Sequence, residues 1–497
     1  MKKLLILTGI ILLSIHATGQ TPAETEENNY TNLSQEGTLP GIARLSEGWN
    51  ILYPGGETLC AQGSEYKFFA KATNSNKLLV YLHGGGGCWD AETCDPERET
   101  YTHASQVEPQ RHPENLNGIF DPEHPENPFV GYSMVVLPVC TGDSYLGARD
   151  VTYVIEKENG KPREFTVYHR GQTNTMAVMN WIYDNFESPQ EIFVAGSSAG
   201  ALATPFYASL LAQQYPEARV VGLSDDAGSF GREASAGSDP TKWGVPEVLQ
   251  KHPGWEEFEG NAGIDQLFLF AARSAPNLEL YQVDHAHDAV QKYYLELTGT
   301  GEDVQKLIQT NRETIRSQQP QFRSYTAGGF QHTILTRDHF YKYQEDGNRL
   351  SDWVASIAAG EQVKSVDCAE DCFKPGLIFT EQDLQIIDRT LALISNENSW
   401  NPSGERGPCP SRADSQSLRC AAVMAATEVT GKAPTGMKDV PPGLLELIFT
   451  ITALQPDKYG GSPLIAYNND PETNQEDMIA TLEKVKETIK QGLEKQR

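Results

Sequence analysis

Five residues, Gly196, Ser197, Ser198, Ala199 and Gly200, stand between an apolar run, Ile192 to Ala195, and a stretch in which Leu202, Phe206 and Leu210 recur four apart. That is the order strand, tight turn, helix. A further apolar run at Val220, Val221 and Leu223 follows, so the helix crosses over and returns the chain to a parallel strand. Leu78 to Leu82 and Met134 to Val139 read as two earlier buried strands, the first ending abruptly in Gly84 to Gly87. Such a sheet needs helices on both faces, and the stripe Met176, Met179, Tyr183, Phe186 supplies one as core packing.

At the N-terminus Lys2 and Lys3 precede an apolar run from Leu4 to Ile15 and small residues at Ala17 and Gly19, the layout of a secretory signal cut after Gly19. The run is shorter than the ~20 residues that a spanning helix requires, so no membrane insertion is expected. Residues 20–40 are polar and rich in Glu, Asn and Thr, and read as a flexible leader. Eight cysteines in an exported, periplasmic or extracellular chain point to disulfides. The close pairs are Cys88 with Cys94, Cys368 with Cys372 and Cys409 with Cys420, leaving Cys60 for Cys140, although about a hundred connectivities are open to eight cysteines.

Removing Lys2 and Lys3 takes the formal charge from −27 to −29, and residues 373–497 hold 17 acidic and 13 basic side chains, which leaves −25 on residues 20–372. This sign argues against nucleic acid and anionic membrane surfaces as partners. Residues 103–130 are rich in Pro, Asn, Glu and His without periodicity, and a loop of that length is expected to form part of the rim of a site. A composition break falls near Cys372 to Pro375. Beyond it Leu444, Leu447, Ile448 and Ile451, and then Met478, Leu482, Val485, Ile489 and Leu493, predict helices. The expected organisation is a signal at 1–19, a leader at 20–40, a sheet-bearing domain at 41–372 and a helical segment of unassigned role at 373–497.

A nucleophile on a strained strand-to-helix turn stands clear of its sheet, and small flanking residues let the backbone make the turn. Ser198 is the candidate; taken alone, the five residues could also be a plain Gly/Ser connector. His83 and Gly84 to Gly87 follow an earlier strand, and glycine N–H groups can reach a developing oxyanion without side-chain obstruction. Gly85, Gly86 and Ala199 are the candidate donors, and Trp89 beside the loop is the candidate substrate-binding side chain. A phosphate-cradling loop fits less well, because no Gly-Lys-Ser/Thr follows.

The α/β-hydrolase fold, with its mainly parallel sheet, takes its remaining partners in the order acid, then histidine. Asp288 follows the run Leu278 to Val283, and His332 follows Phe322 to Ala327, with Val304, Leu307, Ile308 and Ile315 marking a helix between them. Asp225 and Asp226 compete for the acid's role. His339 reads as a surface or helix-end residue, whereas Gly328 and Gly329 offer His332 a mobile loop. Asp284, His285, His287 and Asp288 resemble metal ligands, but a metal there would leave Ser198 unexplained, so no metal or organic cofactor is expected.

HGGGGCW with a second cysteine six positions after the first, PVCTGD at 138–143, YHRGQ at 168–172, GSSAG at 196–200, SDDAGSF at 224–230, HDAVQ at 287–291 and GGFQHTIL at 328–335 occur in this order. Together they resemble the pectin acetylesterase and Notum family of secreted serine esterases, over about residues 45–372. The resemblance implies Ser198, Asp288 and His332 as a catalytic triad, Gly85, Gly86 and Ala199 as oxyanion donors, and a Cys88–Cys94 disulfide beside the site. It also implies an acetylated sugar or other small acyl ester as substrate. Since pectin is a polyanion and the region carries −25, a neutral acetylated glycan is expected in its place. A general carboxylesterase or long-chain deacylase is the alternative, favoured by a wide apolar pocket beside Ser198 with residues 103–130 as its walls; a non-catalytic binding protein on the same scaffold is another. No feature of the sequence sets an oligomeric state.

Overall fold

The computed structural model describes residues 39–495 apart from 74, 105–111, 157–159, 261–262, 302, 369–371, 397, 405–408, 410–414, 435–438, 456–457 and 459–462. The expected signal, the leader up to residue 38 and part of the 103–130 loop lie outside the described residues. Leu39 and Pro40 are ordered against the core, the Pro40 carbonyl accepting the Trp181 indole N–H at 2.8 Å. The chain divides into two units, Tyr30–Gly376 and a second containing Leu377–Arg497. The division falls a few residues after the composition break because Lys374 packs on Gly328 and the Gly376 N–H bonds Glu345 at 3.2 Å.

The first unit is built on β1 (Asn50–Leu52), β2 (Phe68–Lys71), β3 (Lys77–Leu82), β4 (Ser133–Leu137), a separate hairpin of β5 (Arg149–Ile155) and β6 (Arg163–His169), then β7 (Glu191–Ser197), β8 (Arg219–Asp225), β9 (Leu278–His285) and β10 (Arg323–Ala327). Eight of these pair in the order β1-β2-β4-β3-β7-β8-β9-β10, parallel from β4 onward and antiparallel at the β1-β2-β4 edge. β3, β4, β7 and β8 are buried along nearly their whole length, as central strands covered on both faces must be. This is an α/β-hydrolase-like sheet.

The crossovers are helical: α1 (Gly171–Asn185), α2 (Ala199–Gln214), α3 (Arg232–Ser238), α4 (Val245–Leu249), α5 (Ile264–Ser274), α6 (Ala289–Leu297) and α7 (Val304–Gln318). α2 packs on β7 and β8 and against α5. Parallel strands with such crossovers bring their C-terminal ends to one edge, which is where His83, Ser198, Asp225, Asp288 and His332 emerge.

The β5–β6 hairpin was not foreseen from the sequence. It carries Tyr153 and Val167 onto a small core with Ala61, Tyr101 and the Cys88–Cys94 disulfide. Three disulfides join the expected close pairs, Cys88–Cys94, Cys368–Cys372 and Cys409–Cys420, and the fourth joins Cys60 to Cys140 across 80 residues.

α8 (Leu350–Ala358) belongs to the first unit; the second holds α9 (Glu381–Ile394), α10 (Leu418–Thr430), α11 (Pro442–Leu454), a short helix Pro463–Asn468 and a last helix Gln475–Lys495. Thr380 and Asp383 close a capping box at the start of α9, and the other Asp383 oxygen takes the Gly443 N–H of α11 at 2.8 Å. Met478, Leu482, Val485 and Ile489 are buried on one face of the last helix. α11 is buried nearly all round: Leu444, Leu445, Leu447, Phe449 and Ile451 are buried, and so are Glu446 and Thr450, the threonine hydroxyl donating to the carboxylate at 3.1 Å.

Candidate active site

Ser198 has φ +56° and ψ −120°, a conformation rarely adopted by a side-chain-bearing residue, and links the last residue of β7 to the first of α2. Its N–H is held by the Asp225 main-chain carbonyl at 2.8 Å. The flanking glycines are steric requirements: a Cβ on Gly200 would strike the Leu82 carbonyl of β3, and one on Gly196 would strike Gly200 and Thr204. Ala199 heads α2, where a helix leaves its first N–H groups without intrahelical acceptors.

The glycine loop lies against this turn. A Cβ on Gly84 would sit 3.0 Å from Ser197 O and Ser198 Cβ, and Gly86, at φ +73°, is pressed against Thr100 and Tyr294. Gly86, Ala199 and Trp89 border the cavity that Ser198 opens into, while Gly85 is not among its lining residues and its carbonyl takes the Thr102 N–H at 2.8 Å.

His332 Nδ1 lies 2.6 Å from Asp288 Oδ2. Asp288 is fully buried and caps α6, its Oδ1 accepting the N–H groups of Val290 and Gln291 at 2.8 and 2.9 Å, while Gln291 Nε2 donates to Oδ2 at 3.1 Å. The carboxylate is therefore fixed in rotation before the imidazole meets it. Nδ1–H donating to Asp288 leaves Nε2 as the basic nitrogen. Burial pushes Asp288 above the usual carboxylate range, against the pull of the His332 charge. Burial alone would lower His332, but the Asp288 carboxylate, through its charge and hydrogen bond, with Asp226 and Asp225 beyond it, raises the imidazole above its ordinary value.

The rival acids are otherwise engaged. Asp226 accepts His285 Nδ1 at 2.7 Å and the Thr333 N–H at 2.6 Å, and Asp225 accepts the Ser197 hydroxyl at 2.6 Å. Burial and the Asp226 charge push Asp225 up to about 6; Asp226, despite its burial, is held below the usual range by His285. The four residues 284–288 that resembled metal ligands point to different partners: Asp284 pairs with Arg312 at 2.8 Å, and His287 stacks on Phe373. Among the described residues, ligand atoms of Asp226, Asp288 and His332 lie within 4.8 Å of one another, but the His332 and His285 hydrogen bonds already use them.

Two expectations need correction. His339 lies in the short 3-10 helix Asp338–Tyr341, in keeping with the helix-end reading, but is buried and stacked on Tyr343, not at the surface. Gly328 and Gly329 are held at both backbones: the Gly328 N–H is bound by Glu345 at 2.8 Å, its Cα abuts the Lys374 carbonyl, and the Gly329 N–H bonds Cys372 O at 2.7 Å. Glycine is needed there for close approach of backbone.

The cavity at Ser198 measures about 870 Å³ including its mouth and is almost entirely apolar. Its walls are Leu146, Leu202, Phe230, Ala234, Trp243, Val245, Phe258, Ile264 and Leu267, with Trp89 and Tyr294 near the glycine loop. Trp243 is anchored by its indole N–H to Cys88 O at 3.0 Å. Most of this wall comes from residues 230–267 between β8 and β9, and no described residue of 103–130 contributes. The described part of that loop braces the segment after His332, through Ile119 N–H to Leu335 O at 2.8 Å and Tyr341 Oη–H to Gly118 O at 2.8 Å. The sequence reading missed the wall; the stripe Ile264, Leu267, Phe268 signals a buried helix face but not what that face encloses.

Residues 54–257 match the family model described as Pectinacetylesterase. Pectin acetylesterase 11 of Arabidopsis thaliana is 26% identical over 187 residues, 36% of this chain and 45% of that protein. The palmitoleoyl-protein carboxylesterase notum1 of Xenopus laevis is 24% identical over 317 residues, 59% of this chain and 63% of its own length, and the planarian NOTUM of Schmidtea mediterranea is 28% identical over 149 residues, 29% and 26%. The chain thus spans between about a quarter and just under two thirds of these relatives. Over residues 54–257 the chain is therefore similar to the pectin acetylesterases and, over part of its length, to the Notum carboxylesterases.

Proposed function

We propose that the chain is an exported serine carboxylesterase that cleaves an apolar acyl ester of a neutral alcohol. The observation that carries the reading is the buried Asp288 carboxylate bonded at 2.6 Å to His332, on the same sheet edge as a strained Ser198 that opens into an apolar cavity. Ser198 Oγ attacks the ester carbonyl while His332 Nε2 takes its proton, and the N–H groups of Gly86 and Ala199, which border the cavity as Gly85 does not, receive the alkoxide. Collapse breaks the bond to the alcohol, which leaves with the proton held on His332. Water then attacks the acyl-enzyme by the same route and frees the acid. No step calls for a cofactor.

A second reading, an acetylesterase acting on a glycan, is favoured by the Pectinacetylesterase match. The apolar lining favours a longer acyl group, because an acetyl methyl would leave most of that wall uncovered. The formal charge of −27 supports a neutral alcohol over a polyanion, and the four disulfides support an oxidising compartment.

The direct test is phosphonylation by an alkyl fluorophosphonate followed by peptide mass analysis. The label is expected on Ser198 with parallel loss of ester hydrolysis; an unlabelled, fully active enzyme would refute the reading. Asp288→Asn is expected to lower kcat by about 10⁴-fold with the fold intact, because the amide keeps an oxygen for the α6 cap but presents N–H to Nδ1 and imposes the wrong tautomer. Circular dichroism beside the kinetics checks it. Protonated His332 cannot accept the Ser198 proton, and its imidazole is raised, so kcat/KM should fall on the acid side with a midpoint above the ordinary histidine value near 6.5. A pH–rate profile flat from about pH 8 to 5 would contradict this assignment.

A further inference from the structure

β8 supplies neither nucleophile nor base, yet it lies between β7, which carries Ser198, and β9 and β10, which lead to Asp288 and His332. Its last residue, Asp225, is completely buried and touches both loops. Toward the nucleophile, its carbonyl holds the Ser198 N–H at 2.8 Å and its Oδ2 holds the Ser197 hydroxyl at 2.6 Å, with the Tyr81 hydroxyl on the same Ser197 oxygen at 2.7 Å. Toward the base, the carboxylate receives the N–H groups of Ile334, at 3.1 Å to Oδ2, and Leu335, at 3.2 Å. Asp226 takes the Thr333 N–H next to them at 2.6 Å. Three successive N–H groups immediately after His332 are thus held by two adjacent carboxylates, and Thr333 is kept at φ +61°.

A carboxylate suits this place because it only accepts and offers several lone pairs, so one side chain can bind donors arriving from two directions. Two loops from different strands have no covalent reason to keep their side chains in register, and proton transfer from Ser198 to His332 tolerates little error: about 1 Å of misplacement can cost about 10²-fold in rate. We propose that Asp225 is a positioning residue that sets the nucleophile loop against the base loop by binding Ser197 on one side and Ile334 and Leu335 on the other. The inference rests on the serine esterase reading above.

The test uses the full chain, p-nitrophenyl butyrate, and kcat divided by the endpoint quantity of fluorophosphonate-labelled serine, so that misfolded protein drops out. Asp225→Leu, of similar size without polar atoms, is expected to lower this normalised kcat by about 10²-fold with KM within about twofold, since the cavity wall is untouched. Asp225→Asn can keep an oxygen at the Oδ2 position, which accepts the Ser197 hydroxyl and the Ile334 and Leu335 N–H groups, and is expected to retain activity within about fivefold. Should the leucine variant fail to fold, Ser197→Ala removes one bond of the set and is expected to lower normalised kcat by about three- to tenfold with KM unchanged. A role in folding alone predicts lost yield but unchanged normalised kcat for every variant, and that result overturns the proposal. Ser198→Ala measured alongside separates the failures: if it remains fully active, the esterase reading itself is wrong and takes this inference with it.

Discussion

Ser198→Ala is expected to lower kcat by about 10⁶-fold, leaving only what the oxyanion donors and binding contribute. The size follows from what is removed, since the hydroxyl is the atom to which the acyl group is transferred and no neighbouring side chain can take its place at the tip of the turn. Replacement by glycine should be equally inactive but more stable, by ~1 kcal/mol, because the backbone at φ +56° is strained for any residue bearing a Cβ. The pair of measurements, turnover and thermal melting, therefore reads the strain and the chemistry separately. Hydrolysis by the alanine variant at the wild-type rate would remove Ser198 as the nucleophile, and background-level hydrolysis by both proteins would leave only a binding protein on an enzyme's scaffold.

Acyl-chain length should have the largest effect of any change made to the substrate. Each methylene moved from water onto the walls of Leu146, Phe230, Trp243, Phe258, Ile264 and Leu267 contributes ~0.8 kcal/mol, or about fourfold in kcat/KM. Between p-nitrophenyl acetate and octanoate the gain should reach on the order of 10³-fold before the chain outgrows the cavity. Ala234→Trp, projecting into the same space from α3, should erase most of that gain while sparing the acetyl ester. A profile that peaks at acetyl and declines would instead favour the acetylated-glycan reading. The two readings share their chemistry and differ only in what fills the cavity.

Much of the site was legible because its requirements are local. A turn that needs Gly196 and Gly200 for close backbone approach, a glycine loop ending β3 and cysteines a few residues apart declare themselves within a dozen positions. Asp288 and His332 were legible as strand-end residues in a set order, and the structure brings their side chains within 2.6 Å. What failed were inferences from loop character. Residues 103–130 were read from their composition and length as part of a rim, yet no described residue among them lines the cavity, and the Gly328–Gly329 pair was read as a mobile loop although both N–H groups are hydrogen-bonded.

The sequence by itself determined the alternation of strand and helix, the strained serine turn and the pairing of the nearby cysteines, since each depends on steric demands between close neighbours. Only the tertiary structure decided that residues 230–267 enclose an apolar cavity, that Asp288 and not Asp225 or Asp226 meets His332, and that Asp225 joins the two loops. Those outcomes depend on which strand ends lie side by side, and the sheet order that makes them neighbours is set by packing across the whole domain.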